Sequence, residues 1–210
     1  IVIAVKEGGA DPNHNSRLRA VIQNAKSINM PKENIDRAIK KANDKNTENY
    51  KEVLLEGYAP HGIAVLVETA TDNNNRTVAN IRSYFNKFNG NLGTAGSVEF
   101  MFDHVCNFRI NSSNIDIEEI ELEFIDFGVE EVFHDEDGIL LYAPFENFGK
   151  IQKELEKRDL GIISSDIERI PKQTRKLDTD CYEEVIKLIE KIEDDDDVQN
   201  VYHNLEMLNN

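Results

Sequence analysis

The chain has 210 residues, 40% of them hydrophobic and 30% charged, with a formal net charge of -16. That is enough apolar material for one large domain or several small ones. No apolar run approaches the roughly 20 residues that span a bilayer, and Ile1-Val2-Ile3-Ala4-Val5 lacks the basic flank and cleavage pattern of a signal peptide. Cys106 and Cys181 lie far apart with no CxxC spacing, which excludes a disulfide framework and fits a reducing cytosol. A cytoplasmic protein without a membrane partner is therefore expected. Its charge is uneven: residues 1–50 hold nine Lys/Arg against six Asp/Glu, and the other 160 residues hold fifteen against thirty-four. Only the weakly basic leading segment suits a polyanion.

In chain order, Ile1 to Glu7 reads as the end of a helix entered midway, and the chain does not begin with Met. Gly8-Gly9-Ala10-Asp11-Pro12 breaks that helix. Asn15 or Ser16 then caps a second, with Leu18, Val21, Ile22 and Ala25 on one face. Pro31 opens a third helix whose apolar side is Ile35, Ala38, Ile39 and Ala42. Two such short helices cannot bury both stripes alone, so Ile1 to Glu7 is expected to complete the bundle. Asn43 to Lys51 reads as a linker.

The period then changes. Val53 to Tyr58 and Ile63 to Thr69 form a hairpin around Ala59-Pro60-His61-Gly62. A helix capped from Asp72-Asn73-Asn74-Asn75 turns Val78, Ile81 and Phe85 inward, and Gly90 stops it. Val98, Phe100 and Phe102 alternate with polar neighbours as a half-buried strand, and Val105 to Ile110 is another. Beyond these come a helix near Ile117–Ile125, strands near Glu130–Phe133 and Ile139–Tyr142, a helix over Phe148–Arg158, and a strand over Ile162–Ile170. A helix carrying Tyr182, Val185, Ile186 and Ile189 and a strand over Val198–Leu205 end the chain.

Residues 63–110 supply β-α-β-β, which lacks the α-β pair of a ferredoxin-like sheet, and residues 179–205 supply such a pair. The expected fold class is therefore α+β with three domains. They are a helical domain (1–50), a middle α+β domain (51–111 plus 177–210), and an inserted α+β domain (112–176), the last two ferredoxin-like. A linear arrangement is the alternative.

Several motifs are specific: Asn29-Met30-Pro31-Lys32-Glu33-Asn34-Ile35-Asp36-Arg37-Ala38-Ile39, Glu56-Gly57-Tyr58-Ala59-Pro60, Thr71-Asp72-Asn73-Asn74-Asn75-Arg76-Thr77, Gly90-Asn91-Leu92-Gly93-Thr94-Ala95-Gly96-Ser97-Val98, and Asp195-Asp196-Asp197-Val198-Gln199-Asn200-Val201-Tyr202. Together, and in this order, they resemble the YebC-type family from about Gly8 to Leu205. The resemblance implies a helical N-terminal domain and two α+β domains. It also implies a regulator of gene expression: a DNA-binding transcriptional regulator in bacteria, or a translation factor on ribosomal RNA, as in the mitochondrial translational activator of cytochrome c oxidase. Family members carry a basic stretch upstream of the point where this chain begins.

The expected nucleic-acid contacts are Arg17, Arg19, Lys26, Lys32, Arg37, Lys40 and Lys41, joined by Arg76 and Arg82. Such cations neutralise phosphates and release counterions. The plainer reading is a solvated helix face, with Glu33–Arg37 and Asp36–Lys40 as i,i+4 pairs. The Gly90/Gly93/Gly96 loop follows a helix and enters a strand, the reverse of a phosphate-binding loop, so backbone conformation explains it better. Phe100 and Phe102 read as core rather than as stacking aromatics. Asp194 to Asp197 lacks the register of a calcium loop and reads as solvated.

The five histidines, His14, His61, His104, His134 and His203, show no metal spacing, and no GxSxG, HExxH or Walker motif is present. A non-enzymatic protein without cofactor or metal is expected. Its partners would be DNA or ribosomal RNA, with a ribosome or a transcription-machinery protein beside it. A ligand-sensing module is the third reading, on fold analogy alone.

Overall fold

Three helices open the computed structural model, which describes residues 1–42, 50–112 and 116–207: α1 (Val2–Gly8), α2 (Ser16–Ser27) and α3 (Lys32–Ala42). Gly9, at φ 86°, ends α1, a conformation that glycine reaches without steric cost. Ala4, Val5, Leu18 and Ala42 form a small shared core with Ile22 and Ile39 packed against it, so α1 is the third partner that the two stripes require. The expected linker falls almost wholly outside the described residues, and Lys51 already belongs to a strand.

Strands β1 (Lys51–Tyr58) and β2 (Ala64–Thr71) pair antiparallel from Lys51 opposite Thr71 to Tyr58 opposite Ala64. Pro60–Gly62 makes a 3-10 turn between them, with His61 and Gly62 both at positive φ. Helix α4 (Asn74–Lys87) is capped by Asn73, whose side chain accepts the Arg76 N–H at 3.2 Å, and it buries Ile81 and Phe85. Val78 is only half-buried. A two-residue strand β3 (Asn91–Leu92) follows, too short to leave a periodic signal.

The alternation over Val98–Phe102 does not become a strand. Glu99–Met101 is a 3-10 turn, and the next strand, β4 (Phe102–Ile110), starts only at Phe102. The cause is Glu56, a buried carboxylate on β1. It accepts the N–H groups of Gly96 at 2.6 Å, Val98 at 2.8 Å and Glu99 at 2.8 Å. Backbone groups committed to a side chain cannot enter a ladder. Phe100 is therefore 66% exposed rather than core, while Phe102 is buried.

The remaining elements are α5 (Ile117–Phe124), β5 (Glu131–Asp135), β6 (Gly138–Pro144), α6 (Phe148–Lys157), β7 (Ile162–Pro171), α7 (Thr179–Glu193) and β8 (Val198–His203). Two four-stranded sheets result, ordered β3-β1-β2-β8 and β5-β6-β4-β7. The fold is mixed α+β, as expected.

As inferred, α7 and β8 complete the sheet begun by the hairpin, β8 pairing antiparallel with β2. Strand β4 does not join that sheet. It pairs with β6 from Val105 opposite Pro144 to Ile110 opposite Ile139, because Cys106, Phe108 and Ile110 find their apolar surroundings among Phe124, Ile139, Leu141, Ile151 and Leu155. The β-α-β-β-α-β order expected for the hairpin's sheet is thus realised by β4 to β7, whose spatial order is that of a ferredoxin-like sheet. The first sheet is instead built β-β-α-β-α-β, around Ile63, Val65, Val67, Ile81, Phe85, Val185 and Leu188.

The chain parts into two compact units, Ile1–Thr47 with His104–Glu168, and Glu48–Asp103 with Arg169–Asn210. Within the first, α2 lies against the second sheet: Ala20 enters its core, and Gln23 Nε2 donates to the Ile162 carbonyl at 2.6 Å. Asn24 donates to the Ser165 carbonyl at 2.7 Å and accepts the Ser165 N–H at 2.9 Å. Strand β7 is an edge of that sheet, so the Asn24 amide supplies the bonds of a missing neighbour.

Candidate nucleic-acid interface

The α1–α2–α3 unit is organised by one buried side chain. Asn15 caps α2 by accepting the Leu18 N–H at 3.0 Å, and its amide donates to the carbonyls of Ala4 at 2.6 Å and Gly9 at 2.9 Å. One residue thereby satisfies the start of α2 and the end of α1 together. Between α2 and α3 the backbone closes tightly: the Met30 N–H donates to the Ala25 carbonyl at 2.8 Å, the Asn29 N–H to the Lys26 carbonyl at 2.9 Å, and Asn29 sits at φ 58°. A left-handed residue after a helix, followed by an N–H reaching back to the last turn, is a Schellman-type stop.

This scaffold divides the expected cations. Arg19 does not share an open face with Lys26. Its guanidinium bonds Glu156 of α6 at 2.8 Å and the Pro12 carbonyl at 2.7 Å. Arg17 pairs with Glu7 at 2.5 Å. Lys26, at the end of α2, and Lys32, Arg37, Lys40 and Lys41, on α3, are exposed. Among the described residues no ion pair engages Lys26, Lys32, Arg37 or Lys40; the expected Glu33–Arg37 and Asp36–Lys40 pairs are not made. The separation, four open cations beside two paired arginines, depends on acids outside α2: Glu7 on α1 for Arg17, and Glu156, far along the chain, for Arg19.

Arg76 and Arg82 belong to the other unit. Arg82 is exposed on α4. Arg76 is structural: it bonds Asp197 and Asp72, each at 3.0 Å. Asp197 also accepts from Thr77 Oγ1 at 2.7 Å and Thr71 Oγ1 at 3.3 Å, and Asp195 accepts the Tyr84 hydroxyl at 2.9 Å. The acidic run is therefore not merely a solvated loop, because Asp197 is buried and joins the end of β2, the start of α4 and the approach to β8. Burial opposes its charge, but bonds from Thr77, Arg76 and Thr71 prevail and its pKa lies below the ordinary carboxylate value. The Arg76 pKa is raised, chiefly by the hydrogen bond and charge of Asp197.

The glycine loop is likewise a backbone device. Gly96 has φ 82°, and a Cβ on Gly93 would meet Ser97 Oγ at 2.6 Å. The histidines are dispersed: His14 contacts Asp11, His61 contacts Glu184, and His104 stacks on Phe145 at 4.1 Å between centroids. Sequence reasoning missed Glu56 and the exposed pair Ile28 and Met30. The Asn29-Met30-Pro31 stretch, a turn signal bearing an apolar residue, was the available hint for the latter.

Models of two known families together match most of the chain. The description TACO1/YebC protein N-terminal domain covers residues 1–45, and TACO1/YebC second and third domain covers residues 50–205. A Flavobacterium psychrophilum protein named probable transcriptional regulatory protein is 70% identical over 206 residues, 98% of this chain and 87% of its own length. One of the same name from Myxococcus xanthus is 49% identical over 210 residues, 98% of this chain and 88% of its own. Among solved structures, a conserved hypothetical protein from Aquifex aeolicus matches with a TM-score of 0.81 and 37% identity, covering 100% of this chain and 87% of that one.

Proposed function

From the premise that the chain belongs to the TACO1/YebC family, we propose that it regulates transcription by binding DNA rather than by catalysis, through the exposed cations of α2 and α3. The observation that carries this reading is the set Lys26, Lys32, Arg37 and Lys40, exposed and without an ion-pair partner among the described residues of a chain of net charge -16. In so acidic a protein, cations left open on one pair of helices concentrate attraction for phosphates there. The relatives' shared name, probable transcriptional regulatory protein, supports the target class. No helix among the described residues is long and apolar enough to cross a membrane.

The test is fluorescence anisotropy of full-length protein on duplex DNA across a salt series. Four neutralised phosphates give a log–log salt slope of about -3.6. Replacing Lys26, Lys32, Arg37 and Lys40 by Gln should weaken binding at least tenfold and flatten the slope toward zero. Unchanged binding would remove these helices from the interface. Retention on ribosomes against excess duplex DNA would replace DNA by ribosomal RNA as the target.

A further inference from the structure

Ile28 and Met30 stand in the α2–α3 connection at 73% and 36% exposure. Single exposed apolar residues are ordinary, but these two share one turn. They also continue into a mainly apolar groove of about 730 Å³ whose other walls include Val2, Val21, Ala25 and Ala38, with Asn24 and the Asp166 carboxylate among its polar lining. The turn is braced by the Met30-to-Ala25 and Asn29-to-Lys26 backbone bonds, so little conformational entropy is lost when it is seated. Lys26 and Lys32 flank it in sequence, both exposed and without an ion-pair partner among the described residues.

Building on the DNA-binding reading above, we infer that Ile28 and Met30 form an apolar wedge that enters nucleic acid at an unstacked base step, with Lys26 and Lys32 holding the phosphates on either side. Charge complementarity selects this occupant. Cations on both flanks draw the tip toward a polyanion, and what a polyanionic strand offers an apolar side chain between its phosphates is the face of a base. Side chains such as Ile, Met and Pro are the ones that part base steps and kink a duplex, and Pro31 directly follows this pair. A base pushed out of the stack finds the apolar groove behind the tip. A step already weakened, by a bulge or an unpaired base, costs less to open and is the preferred target.

The experiment uses the full-length protein and two duplexes that differ only in a single-base bulge, with 2-aminopurine at the bulge or at the matching paired position. Wild type should bind the bulged duplex about tenfold more tightly and change its 2-aminopurine fluorescence. Ile28→Ser with Met30→Ser, at exposed positions that leave the melting temperature unchanged, should abolish both effects and keep the salt slope. Lys26→Gln with Lys32→Gln should weaken both duplexes alike. Equal binding of the two duplexes by wild type, or an undiminished fluorescence change with the tip variant, would overturn the wedge while leaving DNA binding standing. Absence of any nucleic-acid binding would instead sink the broader reading, and the wedge with it. Capture by phosphatidylglycerol vesicles in the presence of excess DNA, lost in the tip variant, would assign the tip to lipid and overturn the inference.

Discussion

At the scale of the residue, Glu56 governs more backbone than its position suggests. Burial raises the cost of its charge, yet the N–H groups of Val98, Gly96 and Glu99, with help from the charge of Arg169, outweigh that cost and hold its pKa below the ordinary 4.5. The sign follows directly. Its contribution is complete above 4.5, where the carboxylate is ionised folded or unfolded, and drains away as pH falls through the lowered folded value. Glu56→Ala leaves three donors without their acceptor and should cost about 3 kcal/mol in urea denaturation at pH 7. The gap between wild type and variant should narrow below pH 4.5. A constant gap down to pH 3 would show that the carboxylate's charge does not hold the loop.

At the scale of the element, α2 depends on Asn15 at its first turn. Asn15→Ala removes the acceptor for the Leu18 N–H and the donors to the Ala4 and Gly9 carbonyls, an expected loss of about 2–4 kcal/mol. Asn15→Asp restores the cap but turns a negative charge toward two carbonyl oxygens, so it should rescue less than half. A full rescue would mean that the cap alone matters. This part of the fold was legible in the sequence because it is local: Asn15 and Asn73 announce their helices within three residues, and Leu18, Ile35, Ile81 and Phe85 carry the helical period. What was not legible is what crosses the chain. The apolar run of β4 declares a strand without naming its neighbours. Arg19 meets Glu156, and Arg76 meets Asp197, across separations of 137 and 121 residues. Nothing local distinguishes those arginines from Arg37, and all nine cations therefore entered the expected site, although for Arg76 and Arg82 a plain surface role was the stronger reading.

At the scale of the whole molecule, each compact unit contains one thiol. Cys106 is buried in the core beneath the second sheet, and burial pushes its pKa to about 12. Cys181 is only half-buried near the start of α7, its pKa raised by the bond to Asp178. Thiolate and access both set reactivity. A thiol-disulfide reagent at pH 8 should therefore modify one cysteine within minutes and the other only as fast as its unit opens. Two fast thiols in native buffer would contradict the burial of Cys106. Because the slow thiol reports the unit that also contains α1 to α3, its rate should fall when DNA is added if those helices bind it.

The amide of Asn24 has one more consequence. An edge strand with a free N–H and carbonyl is a template on which another chain can grow, and at Ser165 both groups of β7 are already taken by a side chain from a helix. Asn24 thus acts as a stopper against fibrous growth at that point of the edge. Protein lacking it should seed polymers on storage at concentrations where the parent stays monodisperse.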